Sequence, residues 1–278
     1  MTQRADAGIP ILMYHEVAER AEISALTRKT QRGYILARDH FEQEMELLAR
    51  AGFHPVSLSD LLSWSHAQAS LPPRPIVITF DDGFSGNFRH AFPVLKEHGF
   101  TATFFVVTNK IGDPAMLTWA ELAEMNRHGM SIQSHTANHP LLSTLTEART
   151  RGELMESKHT IEDKLGTPVN FLSLPNGDSN PFYVPVAQEC SYLGGCCSRF
   201  GFNDRNTDPF FWRRIAVKHQ TKLKDFRDIV FQSPRTLAVL RTMAATKAAA
   251  SRLLGKKNYD RLYNLVFGVE DQEKSKHP

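Results

Sequence analysis

The chain has 278 residues, 41% of them hydrophobic and 23% charged, which is an ordinary globular balance and enough to bury a large core. A formal net charge of +3 is too small for a chain that works by coating nucleic acid, and three cysteines, two of them adjacent (Cys190, Cys196, Cys197), make neither a disulfide framework nor a zinc-finger spacing. The polar stretch Met1 to Gly8 lacks an apolar signal-peptide core, and there is no run of about 18 apolar residues, so the expected location is cytoplasmic.

The apolar run Ile9 to Tyr14 predicts a buried strand, followed by an irregular loop over Ala18 to Asp39. Phe41, Met45 and Leu48 share one face of a helix predicted over 41–51, capped by Asp39 and closed by Gly52. A short strand over 54–58 and a brief helix from Ser59 come next. After Pro72, Pro73 and Pro75, the β-branched run Ile76 to Phe80 gives the strongest strand signal. A helix over 87–99, with Pro93 as a complication, precedes a strand over 101–107. Thr118 and Glu121 form a capping box opening a helix that ends at Gly129. The remaining elements are a strand over 131–134, a helix over 147–165, a strand over 171–174, a helix over 184–190 and a strand over 192–196.

Strands alternating with helices imply a parallel sheet, and about seven such units fit an α/β barrel better than an open sheet. The expected division is a barrel domain over 1–221 and a helical extension over 222–278. From Arg235 to Lys257 that extension carries six cations (Arg235, Arg241, Lys247, Arg252, Lys256, Lys257) and no acid. Such a segment suits contact with an anionic membrane surface, although a solvated basic face is the favoured reading.

Two clusters carry chemistry. Asp81 and Asp82 follow the 76–80 strand, at the end of a strand where parallel α/β folds build their sites. Two adjacent carboxylates can also cap a turn, and alone they favour that reading. His135 and His139 follow the 131–134 strand in Ser-His-Thr-Ala-Asn-His-Pro, and Pro140 makes an irregular turn as plausible as a helical one. One carboxylate and two imidazoles are a zinc-type ligand set that leaves a coordination position open, with the other carboxylate free as a general base.

These residues resemble the polysaccharide deacetylase family (NodB-homology, carbohydrate esterase family 4): Thr79-Phe80-Asp81-Asp82-Gly83 matches its first motif and His135-Thr136-Ala137-Asn138-His139 its second. Leu12-Met13-Tyr14-His15-Glu16-Val17 further resembles the branch of exopolysaccharide and poly-N-acetylglucosamine deacetylases. The resemblance implies a distorted (β/α)7-type barrel and a metal-dependent N-deacetylase acting on amino sugars of a polysaccharide in exopolysaccharide production. It assigns Asp81 as base and Asp82, His135 and His139 as metal ligands. Zinc is the favoured ion; cobalt, nickel, manganese and iron also suit the ligands.

The third motif departs from the family. Ser173-Leu174-Pro175-Asn176-Gly177 lacks the Arg that orients the base, and Arg214 is the expected substitute. The backbone N–H of Asn176 can still serve as an oxyanion donor, since that role needs no side chain. The late Leu-x-His motif is absent; the branch is circularly rearranged, which makes His15 the general acid, with His219 as second candidate. A hydrolase of another amide or ester and a non-catalytic glycan-binding relative are the alternatives. Tyr14, Phe84, Trp119 and Trp212 read as packing residues.

Overall fold

A computed structural model describes residues 8–25 and 33–239, with 242, 246 and 249 besides. The strands are β1 (Ile11–Tyr14), β2 (Glu16–Ala18), β3 (Ile35–Ala37), β4 (His54–Pro55), β5 (Pro75–Phe80), β6 (Thr103–Val106), β7 (Ser131–Ser134), β8 (Phe171–Ser173), β9 (Gly194–Cys196) and β10 (Ile215–Ala216). The helices are α1 (Arg20–Ala25), α2 (Arg38–Arg50), α3 (Leu58–Ser65), α4 (Phe92–Glu97), α5 (Trp119–Arg127), α6 (Glu147–Leu165), α7 (Tyr183–Glu189) and α8 (Leu223–Val230).

The main sheet runs β10-β1-β5-β6-β7-β8-β9, every pair parallel, with β4 added beside β5. One segment ties its two ends together. Trp212 N–H donates to Gly195 O at 2.9 Å and Trp212 O accepts from Cys197 N–H at 2.8 Å, beside β9; three residues on, Ile215 pairs with Leu12 of β1. The result is the distorted (β/α)7-type barrel expected from the sequence.

The two-residue period of a strand divides the core into an inside and an outside. Ile11, Val77, Phe105, Phe171, Cys196 and Trp212 cluster with Leu58 and Leu61 of α3, which packs against them. Their neighbours Leu12, Ile78, Phe104 and Leu172 belong to the larger cluster that receives the outer helices. In that outer layer Tyr14, Phe80 and Phe104 stack at centroid distances of 5.3 and 4.6 Å, with Phe41 edge-on to Tyr14 at 5.2 Å. This aromatic block lies directly behind the strand ends that carry the site and stiffens them.

Several local expectations change. The predicted 18–39 loop contains α1 and β3; β3 pairs in parallel with β2. α2 starts at Arg38 with Ala37 as an unassisted N-cap, and Asp39 instead pairs with Arg20 at 2.8 Å. Ser57, not Ser59, opens α3, in a capping box with Asp60. The predicted 87–99 helix is split into a π-helical turn, Asn87–Ala91, and α4, which places Pro93 in a first turn where its missing N–H costs least. The Thr118–Glu121 capping box forms as expected.

α8 lies within the stretch assigned to the extension, yet Phe226, Ile229 and Val230 join the main core. Most of the basic 235–257 segment lies outside the described residues, as do residues 1–7. Among the described residues no helix is long and apolar enough to cross a membrane. All three cysteines are free and buried.

Candidate active site

Asp81 and Asp82 are adjacent in sequence but face different surroundings, because strand parity separates them. Asp81 continues the inward series Val77, Thr79 and is 3% exposed. There it meets Arg214, itself 1% exposed, in a bidentate pair: Nη1 to Oδ1 and Nη2 to Oδ2, both at 2.7 Å. Such a fork matches a carboxylate in both charge and shape. Ser173 Oγ donates to Asp81 Oδ2 at 3.1 Å, while the guanidinium is held by Cys197 O (3.1 Å from Nε) and Ser173 Oγ (2.8 Å from Nη2). Burial raises the Asp81 pKa, but the charges of Arg214 and His135 lower it further, so the carboxyl titrates below its ordinary value.

Asp82, with φ of 75°, turns away toward the two histidines. Its Oδ1 lies 3.5 Å from His135 Nε2 and 3.5 Å from His139 Nε2. One ligand atom from each of Asp82, His135 and His139 falls within 4.8 Å of the others, the spacing of three donors around one ion. His135 Nδ1 lies 2.8 Å from Ser173 O, which can only accept; Nδ1 therefore carries a proton and Nε2 is the nitrogen left to face Asp82. Burial raises Asp82, but the hydrogen bond and charge of His135 outweigh it and hold the carboxyl well below its ordinary range. His139 is lowered to about 4, first by burial and then by His135. An ionised carboxylate and, at His139, an imidazole kept neutral are protonation states a cation requires, whereas burial lowers His135 by less than Asp81 and Asp82 raise it, so that imidazole gives up its Nε2 proton when a cation takes its place beside Asp82. The donor set thus fits a divalent ion.

The turn carrying the histidines is irregular, with Thr136 at φ 66° and His139 at φ 61°. Each such residue costs about 1–3 kcal/mol and persists where its surroundings over-determine it. Thr136 Oγ1 accepts from His139 N–H at 2.9 Å, and Thr136 N–H donates to Ser134 Oγ at 3.1 Å.

His15 directly follows β1. Its Nδ1 is buried without a hydrogen-bond partner among the described residues, and its ring packs on Tyr34 at a centroid distance of 4.4 Å. Burial lowers its pKa by more than Asp81 and Asp82 raise it. Asn176 has φ 54° in the turn after β8; the bonds of that turn are donated by Gly177 and Asp178. His219 is exposed, with its N–H on Gly33 O at 3.1 Å. Tyr14 and Trp212 are each 1% exposed and serve as packing. Sequence reasoning missed Ser173, which bonds Asp81, Arg214 and His135 together; a serine at a strand end gives no warning of that role.

Residues 68–194 match the family described as polysaccharide deacetylase. That stretch carries a polysaccharide deacetylase domain. The chain is 28% identical over 211 residues to YxkH of Bacillus subtilis, whose name describes it as a polysaccharide deacetylase; the match covers 76% of this chain and 72% of YxkH. It is 22% identical over 203 residues to a poly-beta-1,6-N-acetyl-D-glucosamine N-deacetylase of Staphylococcus aureus, covering 68% and 70% of the two chains. Among solved structures, the Streptococcus pyogenes deacetylase PplD in complex with acetate superposes with a TM-score of 0.71 at 25% identity, covering 78% of this chain and 96% of that one.

Proposed function

We propose that this chain is a metal-dependent N-deacetylase that removes acetyl groups from amino sugars of an exopolysaccharide. The observation that carries this reading is the division of labour between adjacent carboxylates: Asp82 faces two imidazole nitrogens, and Asp81 faces a guanidinium.

Asp82, His135 and His139 hold the ion, for which zinc is the best match to one carboxylate and two imidazoles. When bound, a divalent cation supplies Lewis acidity beside the acyl carbonyl. Asp81 is the general base. Arg214 keeps it ionised at neutral pH and fixes both of its oxygens, so it meets an attacking water with its remaining lone pairs. The Asn176 N–H, unused by its own turn, is the donor for the developing oxyanion. His15 passes a proton to the departing amine, which leaves poorly without one. The Tyr34 ring against His15 limits the imidazole to few orientations. In place of the family's third-motif arginine, Arg214 reaches the base from the segment that closes the barrel.

The test is acetate release from N-acetylglucosamine oligomers by zinc-loaded protein. Release that is abolished in His139→Ala supports the reading. Zinc binding without release of acetate from any N-acetylated glycan favours the glycan-binding alternative, and turnover confined to other amides or esters favours the second.

A further inference from the structure

We infer that Glu153, on the helix packed behind the site, is a positioning residue that sets metal affinity by clamping the turn before His139. The inference rests on Asp82, His135 and His139 being the metal ligands. Glu153 lies on α6 and, among the described residues, bonds Asn138 rather than any of the three. Its two carboxylate oxygens take both donors of one residue: Asn138 N–H at 2.9 Å on Oε2 and Asn138 Nδ2 at 2.8 Å on Oε1. Asn138 is thereby held at backbone and side chain at once. On its other side Asn138 Oδ1 accepts from Asn109 Nδ2 at 3.0 Å, and Asn109 N–H donates to Ala137 O at 3.0 Å. Asn109 Nδ2 also reaches Glu156 Oε1 of α6 at 2.8 Å.

The next residue is His139, with its left-handed φ of 61°. A side chain in that conformation relaxes unless its neighbours forbid it. Its own N–H bond to Thr136 is local to the turn and moves with it. Glu153 and Asn109 anchor the turn to rigid elements outside it. Ser134 Oγ, 2.7 Å from Ser157 Oγ, ties the start of the same turn to the same helix. α6 therefore fixes both ends of the segment that presents the two imidazoles. Residues that orient metal ligands in this way typically change affinity by about 10- to 100-fold when altered.

The arrangement allows an exchange of partners. In Glu153→Gln an amide NH2 confronts the Asn138 NH2. In Asn138→Asp a carboxylate confronts the Glu153 carboxylate. In the double variant, the new amide at position 153 accepts from the backbone N–H and donates to the new carboxylate at position 138, whose other oxygen still accepts from Asn109. Zinc dissociation constants by competition with a chromogenic chelator, together with thermal unfolding of the metal-free proteins, test this. The expected result is at least about tenfold weaker zinc binding in each single variant and recovery to within about threefold in the double variant, with metal-free unfolding close to that of the unaltered protein. Zinc binding by both single variants at the unaltered affinity overturns the inference, as does weakening in the singles that the exchange does not repair. His139→Ala is the control: if it too binds zinc normally, the ligand assignment itself has failed rather than the role of Glu153.

Discussion

Arg214 and Asp81 lie 133 residues apart in sequence and form two parallel hydrogen bonds of 2.7 Å inside the barrel. The pair is almost fully shielded from water, so each charge depends on the other. Replacing Arg214 by Met strands a buried carboxylate and is expected to destabilise the fold by roughly 3–5 kcal/mol in urea unfolding. Adding Asp81→Asn to that variant removes the stranded charge and recovers part of the loss. Strictly additive losses contradict the coupling.

The same pair sets the acid limit of activity. The Asp81 carboxyl titrates below its ordinary value, so it remains ionised as pH falls past the usual carboxylate range. Its stabilising pairing with Arg214 is present above the unfolded-state value and is lost as pH falls through the lowered folded value. The pH profile of kcat/KM is therefore expected to lack an acid limb from Asp81 above about pH 4. In Arg214→Lys, which cannot make the bidentate fork, that limb moves up. An unmoved limb in this variant separates base ionisation from the arginine.

His15→Ala is expected to lower kcat by about 10²- to 10⁴-fold with metal content unchanged. Retention of kcat on an N-acetylated oligomer removes His15 from the reaction, and exposed His219 then becomes the candidate to test.

Glu44 offers a stability test away from the reaction. It is 0% exposed, accepts from Tyr14 Oη at 2.8 Å, and its second oxygen takes no hydrogen bond among the described residues, with His40 Nε2 3.8 Å away. Burial pushes its carboxyl from 4.5 up to about 8, despite the opposing Tyr14 bond. The folded state thus retains a proton that the unfolded chain releases. Stability therefore declines as pH rises through that window, with a slope on the order of 1.4 kcal/mol per pH unit at most. Glu44→Gln keeps an acceptor for Tyr14 and should flatten the decline between about pH 5 and pH 8 in urea midpoints. An unchanged slope shows that Glu44 is not the source.

Much of this was visible in the sequence because the decisive signals are local. The run Ile76 to Phe80 is β-branched and apolar, and the strand forms over Pro75–Phe80. The strand at Ser131–Ser134 and the helix at Glu147–Leu165 take their predicted limits. The Asp-Asp and His-x3-His pairs were conspicuous against their neighbours. The short strands were not: β2, β3 and β10 span two or three residues and gain their hydrogen bonds from partners distant in sequence. α1 (RAEISA) has too few apolar residues to show a period. The contrast between Asp81 and Asp82 becomes physical only once strand parity is known, since identical side chains carry no sign of which faces inward. Ser173 and Glu153 act through contacts 92 and 15 residues away, for which a single sequence holds no signal.

The most direct measurement is the metal content of three purified proteins after zinc loading and desalting: unaltered, Asp81→Asn and Asp82→Asn. About one zinc per chain in the unaltered protein and in Asp81→Asn, with loss in Asp82→Asn, is the expected result. Loss of zinc in Asp81→Asn with retention in Asp82→Asn, or no zinc in the unaltered protein, contradicts the account.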